Sequence, residues 1–208
     1  MAYRVQILEP DTKEGIIKRG NNATTAVFTF GRFNPPTVGH QKMIRKLLEV
    51  GEEKNADVYV FGSHTKDKKK NPLTHKQKMK HMTEMFSEMG GYVDPGEQIR
   101  TALDAAVYLN EYDNLVMVVG EDRVDSFRSL LERYNGKEMK KGEYDFQTIE
   151  VVNAGIRDPD SDGLEGMSAS KMREAVMNDD METFRSGVPL NYDAKEMFAN
   201  VKKGMGIN

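Results

Sequence analysis

Apolar residues in this chain follow two alternating rhythms between residues 25 and 178. Short β-rich apolar runs occur at Thr25–Phe30, Asp57–Gly62, near Tyr92-Val93, at Asn114–Val119 and over residues 146–152. Between them, apolar positions return every three or four residues, as Met43, Ile44, Leu47 and Leu48 do. That spacing predicts helices over 38–50, 74–89, 97–110, 122–134 and 168–178. Repeated strand–helix units imply a doubly wound, Rossmann-like α/β fold. The expectation is a parallel sheet of about five strands with helices on both faces. The strands are nearly continuous apolar runs, as a sheet covered on both sides requires.

The ends of the chain read differently. Residues 1–22 form an N-terminal extension that closes on the turn signal Gly20-Asn21-Asn22, and Val5–Leu8 and Gly15–Lys18 suit a small hairpin. Residues 23–190 make the α/β domain. Residues 191–208 form a helical tail, with Ala194, Met197, Phe198 and Val201 on one face packed on the core. Met79, Met82, Phe86 and Met89 form a stripe at helical spacing and read as core packing.

Composition narrows the class. The chain has 208 residues and no cysteine, which rules out disulfides and fits an intracellular, cytoplasmic setting. No run of about 18 apolar residues suggests a membrane span, and the N-terminus lacks a signal core. With 30 basic and 33 acidic residues the net charge is −3, which argues against general nucleic-acid coating. Positive charge is bunched from Lys66 to Lys80, a local anion site set among mostly solvated lysines. His40, His64, His75 and His81 lack zinc-site spacing. Asp158-Pro-Asp160-Ser-Asp162-Gly163 mimics the start of a calcium loop, but its twelfth position is Ala169 rather than Glu. No resident metal site is expected.

The most informative stretch is Gly31-Arg-Phe-Asn-Pro-Pro-Thr-Val-Gly-His40, a turn from a strand into a helix. A helix N-terminus offers unpaired N–H groups and partial positive charge, which suit phosphate. Gly31 and Gly39 would let the backbone approach a ligand, Arg32 and His40 supply cationic or donor groups, and Pro35-Pro36 stiffens the loop. In doubly wound sheets ligands bind beyond the carboxyl ends of the strands. Arg32, His40, Lys70, Gly120, Asp122 and Ser168 each follow such an end in the predicted order.

These segments resemble the nucleotidylyltransferase superfamily. Thr37-x-Gly39-His40 is similar to its [HT]-x-G-H signature, and Gly31-Arg-Phe33 looks most like the nicotinamide-nucleotide adenylyltransferase branch. Ser168-Ala-Ser170-Lys-Met-Arg173 resembles the family's serine-rich helix start, with Met167 for isoleucine and Ala169 for a hydroxyl residue. Gly120-Glu-Asp122 and Lys68-Lys-Lys-Asn-Pro72-Leu resemble two further elements, so the likeness covers residues 26–178. Thr37 stands where many relatives have histidine, and no tryptophan is present to stack on nicotinamide. Tyr92, Tyr108 or Phe127 would have to replace it.

The resemblance implies transfer of a nucleotidyl group, AMP from ATP, to a phosphorylated acceptor such as nicotinamide mononucleotide, giving NAD and pyrophosphate. His40, Arg32 and Lys70 would carry catalysis, with Lys68 or Lys69 as alternatives to Lys70. Gly31, Arg32, Phe33, Thr37, Gly39, His40, Ser168, Ser170 and Arg173 would bind the nucleotide. Gly120 and Asp122 would face the acceptor, and Mg²⁺ would shield the phosphates. Two alternatives stay open: another acceptor (phosphopantetheine, or a sugar or polyol phosphate with CTP), and a nucleotide-binding module without turnover. The oligomeric state also stays open, a homo-oligomer included.

Overall fold

The computed structural model describes residues 23–86, 99–155 and 167–207. Among them, four strands form one parallel sheet: β1 (Thr25–Gly31), β2 (Asp57–Gly62), β3 (Asn114–Val119) and β4 (Thr148–Asn153). Their order is β2-β1-β3-β4. The chain moves from β1 outward to β2, then crosses to the other side of β1 to lay down β3 and β4. The switch point therefore lies between β1 and β3, and the carboxyl ends of all four strands share one edge. At that edge Gly31 of β1 pairs with Gly62 of β2.

The helices are α1 (Val38–Glu53), α2 (His75–Met85), α3 (Ala102–Tyr108), α4 (Val124–Tyr134), α5 (Ala169–Met177), α6 (Met181–Arg185) and α7 (Lys195–Met205). Each strand's period of two feeds two cores. Val27, Val58, Val60, Val116 and Val118 point to one face, where they pack with buried residues of α1, α2, α5, α6 and α7. Ala26, Phe28, Tyr59, Phe61, Leu115 and Met117 point to the other, against α3 and α4. The doubly wound expectation holds, with four strands rather than about five. The strand expected at Tyr92-Val93 lies outside the described residues, as do the hairpin expected in residues 1–22 and the acidic loop at 158–163.

Several boundaries moved for local reasons. The helix expected over 97–110 starts at Ala102, because Thr101 accepts from the Asp104 N–H while Asp104 accepts from the Thr101 N–H. The last strand starts at Thr148 rather than 146: the Asn135 side chain bonds both the N–H and the carbonyl of Phe146, holding it outside the ladder. A 3-10 turn over Glu121–Arg123 precedes α4 where one helix from 122 was expected. The tail helix ends at Gly206 in the left-handed conformation, φ 75°. It does pack on the core, since Met197, Phe198 and Val201 are buried there. A side chain at Gly204 would collide with the carbonyl of Pro72, so α7 lies directly on the loop that leads into α2. Among the described residues, no helix is long and apolar enough to cross a membrane.

His81 ties α2 to the C-terminal segment. It is fully buried, with Nδ1 2.7 Å from the Tyr192 hydroxyl and Nε2 3.2 Å from the Asn200 amide. Burial pushes its pKa down from 6.5 to about 4, only partly opposed by Glu196. An unfolded chain would protonate this ring near 6.5 and the folded one only near 4. Its stabilisation is therefore complete above pH 6.5 and drains away as pH falls toward 4, at about 1.4 kcal/mol per pH unit. Urea denaturation should show wild type losing about 2–3 kcal/mol between pH 7 and 4.5, with a clearly flatter profile for His81→Gln. Identical profiles would mean that His81 does not govern acid stability.

Candidate active site

The Thr25–Gly31 strand delivers the turn Arg32–Thr37 to the carboxyl edge of the sheet. Phe33 takes the left-handed conformation (φ 43°), which folds its ring back beneath the strand end. A Cβ on Gly31 would lie 2.6 Å from that ring, so glycine is needed there for packing rather than for approach of a ligand. The buried Phe33 ring also meets His40 edge-on, with centroids 5.1 Å apart. Gly39 is exposed at the start of α1, with only the Thr37 hydroxyl near where a side chain would begin.

His40 sits in the first turn of α1. The Thr37 N–H donates to His40 Nδ1 at 2.9 Å, and the Thr37 hydroxyl lies 3.1 Å from the same nitrogen. Because Nδ1 accepts, the neutral ring carries its proton on Nε2. Thr37 thus sets the tautomer of His40. The helix start is also less open than its sequence suggests. Val38 donates its N–H to the Gly187 carbonyl at 2.9 Å, and His40 donates its own to Thr37.

Asn34 fastens this turn to the entry of α2. Its amide donates to the Leu73 carbonyl at 3.0 Å and its oxygen accepts from the Leu73 N–H at 2.9 Å, all buried. The Asn34 carbonyl accepts from Arg173 Nη1 at 2.8 Å, while Arg173 Nη2 donates to Ser170 at 3.0 Å. Arg173 and Ser170 of α5 are thereby joined to the Gly31–His40 turn. Ser168 caps α5, accepting from the Lys171 N–H at 3.2 Å.

A residue not singled out from the sequence lies beneath the turn. Lys78 of α2 is fully buried, and its ammonium donates to the carbonyls of Arg32 (2.8 Å) and Ser63 (2.6 Å) and weakly to the Ser63 hydroxyl. Burial, reinforced by repulsion from Arg32, lowers its pKa to about 8. Burial and the same arginine also lower that of Arg173, against an opposing attraction to Asp67. Lys78 and Arg173 each hold a carbonyl of the Arg32–Thr37 turn and each feel Arg32, so three cations gather around that turn. Lys78 had a sequence signal: it shares a helical stripe with Met82 and Met85, where a lysine is out of place.

The lysine-bearing loop is organised by Asp67, also missed. Its carboxylate accepts from the backbone N–H groups of Lys69 and Lys70 at 2.9 and 2.6 Å and from the Asn71 amide. Those bonds, the one from Lys70 foremost, hold its pKa down at about 2. Lys68 lies against Gly206 at the carbonyl end of α7, where a cation is favoured. Lys69 and Lys70 are exposed on the loop. Gly120 follows the end of β3 as the N-cap of the 3-10 turn, and Asp122 lies exposed within that turn. Among the described residues no hydrogen bond or ion pair joins Asp122 to the cation cluster.

Comparison with known proteins bears on this geometry. The sequence profile of the cytidylyltransferase-like family matches residues 28–175, which include the turn, the lysine loop and Arg173. A protein of Acholeplasma laidlawii (strain PG-8A) named "Probable nicotinate-nucleotide adenylyltransferase" is 24% identical over 184 residues, 83% of this chain and 96% of the relative. The chain belongs to the cytidylyltransferase-like family, within the nucleotidylyltransferases, and is a nucleotidyltransferase.

Removing the Asn34 side chain would leave two buried backbone groups of Leu73 without partners. Each such loss costs about 1–3 kcal/mol. Asn34→Ala should therefore lower unfolding free energy by about 2–4 kcal/mol in urea titrations. A change under about 0.5 kcal/mol would show that the turn does not depend on this pair.

Proposed function

We propose that the protein transfers AMP from ATP to the phosphate of nicotinate or nicotinamide mononucleotide, releasing pyrophosphate. The observation that carries this reading is the gathering of Arg32, Lys78 and Arg173 around the turn that leads into His40 at the carboxyl edge of the sheet. Like charges held together need an anion, and a triphosphate supplies several negative charges at once. The choice of adenylyl donor and pyridine nucleotide acceptor is supported by the Gly31-Arg-Phe33 opening and by the name of the Acholeplasma relative.

In the proposed reaction an acceptor phosphate oxygen attacks the α-phosphorus of ATP. A new P–O bond forms as the bond to the bridging oxygen breaks, and pyrophosphate leaves with that electron pair. The attacking phosphate is already ionised, so no base is needed, and the protein's task is alignment and charge stabilisation. His40, with its proton on Nε2, is suited to donate to an α-phosphate oxygen. Arg32 and Arg173 would hold the β- and γ-phosphates, with Lys70 or Lys69 reaching over them and Ser170 steering Arg173. Mg²⁺ would enter with the triphosphate as part of the substrate. Among the described residues no group of three or more His, Asp or Glu could hold a metal.

The family's cytidylyl members give the second reading, CTP with a polyol or sugar phosphate. Pyrophosphate release should be assayed with ATP and CTP across a panel of acceptors that includes both pyridine mononucleotides. ATP should exceed CTP in kcat/KM by about a hundredfold, as a site built around one base's hydrogen bonds rejects another. Formation of NAD or its nicotinate counterpart supports the proposal. Product only with CTP and a polyol phosphate would overturn the substrate assignment.

Two variants test the roles. His40→Ala should lower kcat by about a hundredfold or more with ATP affinity little changed, and a mutant within tenfold of wild type would remove His40 from the chemistry. Arg173→Ala should weaken ATP binding more than acceptor binding in calorimetry. The reverse order would move Arg173 to the acceptor side.

A further inference from the structure

Lys78 is the least ordinary residue of the described structure. Lysine is rarely fully buried without a carboxylate partner, because its charge then loses water with nothing opposite in sign to replace it. Here the ammonium meets only neutral oxygens, those of Arg32 and Ser63, and Arg32 brings a second positive charge. Replacing it with an apolar residue would relieve that cost but leave the carbonyls of Arg32 and Ser63 without its hydrogens. A reason for keeping it lies in what it holds. Arg32 and Ser63 follow Gly31 and Gly62, the paired last residues of β1 and β2. Ser63 also donates its N–H to the Gly31 carbonyl at 2.8 Å. One ammonium thus ties together the roots of the Arg32 turn and the lysine loop.

We propose that Lys78 is a positioning residue for the phosphate site. It fixes the backbone from which Arg32 and the lysine loop project, and it keeps one positive charge beneath the bound phosphates without touching them. Its three hydrogens are committed to Arg32 and Ser63, so it acts through those residues. This rests on the triphosphate reading above.

The proposal carries a pH signature. In the empty protein Lys78 loses its proton near pH 8, through burial and repulsion from Arg32. Bound phosphate would favour the charged form and raise that value. Triphosphate affinity should then fall as pH rises from about 8 to 10, approaching tenfold per pH unit between the empty and bound pKa values. The charged groups nearby are Arg32, which repels Lys78 directly, and Arg173 and Asp67, which interact across the same edge. His75 stands one turn earlier on α2, and His64 follows Ser63. Asp67, with its lowered pKa, stays charged throughout that range.

The test uses the full chain with Lys78→Gln and Lys78→Met. Hydrogen exchange on the empty proteins comes first: peptides spanning 31–37 and 63–73 should exchange at least about fivefold faster in both variants. Unchanged exchange in both would overturn the clamp whatever the enzyme's substrate. Calorimetry with Mg·ATP from pH 7 to 10 follows. At pH 7, Lys78→Gln should bind roughly tenfold more weakly than wild type, and the alkaline decline should vanish. If the variant keeps wild-type affinity or the same decline, the charge role of Lys78 is wrong. If wild type fails to bind Mg·ATP at any pH, the triphosphate reading falls, while the exchange result still judges the clamp.

Discussion

Arg32 repels both Lys78 and Arg173, and this crowding of positive charge governs the carboxyl edge of the sheet. Burial and repulsion from Arg32 push both Lys78 and Arg173 toward neutrality, and both are withdrawn from water. Like charges so arranged weaken a fold unless backbone oxygens hold them and a ligand completes the balance. The holding is visible: the carbonyls of Arg32, Asn34 and Ser63 all accept from these side chains. The sharp path from β1 into α1, with Phe33 folded under Gly31, turns the carbonyls of Arg32 and Asn34 toward the cations.

The parallel order β2-β1-β3-β4 makes the arrangement compact in space though it spans much of the chain. Arg32 and Arg173 lie far apart in sequence, yet Arg173 reaches the residue that follows Phe33. Opposite faces of the sheet serve different ends. The face bearing α1, α2, α5 and α7 carries the cations and their supports. The other face is an aromatic and aliphatic core that fixes strand spacing, with Tyr112 donating to buried Asp57 at the far end of β2.

Much of this was legible in the sequence, and its limits are physical. Apolar rhythm exposed the strands β1 to β4 and most helices, since burial on both faces writes itself into composition. It placed the start of α3 and of β4 imprecisely, because those boundaries are set by hydrogen bonds of Thr101, Asp104 and Asn135 rather than by hydrophobicity. The turn with His40 and the arginine of α5 were visible as motifs. Asn34, Asp67 and Lys78 were not, as each acts through backbone groups of residues brought near only by folding. Lys78 was absorbed into a lysine-rich segment read mainly as solvated charge, although its helical phase set it among buried methionines. Gly31 was read as making room for a ligand, and the ring of Phe33 fills that space.

The proposed reaction passes the α-phosphorus of a nucleoside triphosphate to an acceptor phosphate at this edge. Following phosphorus directly decides it: incubation with Mg·ATP labelled at the α-phosphorus, and separately at the γ-phosphorus, with nicotinate or nicotinamide mononucleotide. The α-label should appear in a dinucleotide product and the transferred γ-label only in pyrophosphate. Transfer of γ-label to the acceptor, or α-label recovered only in ATP and free AMP, would contradict it.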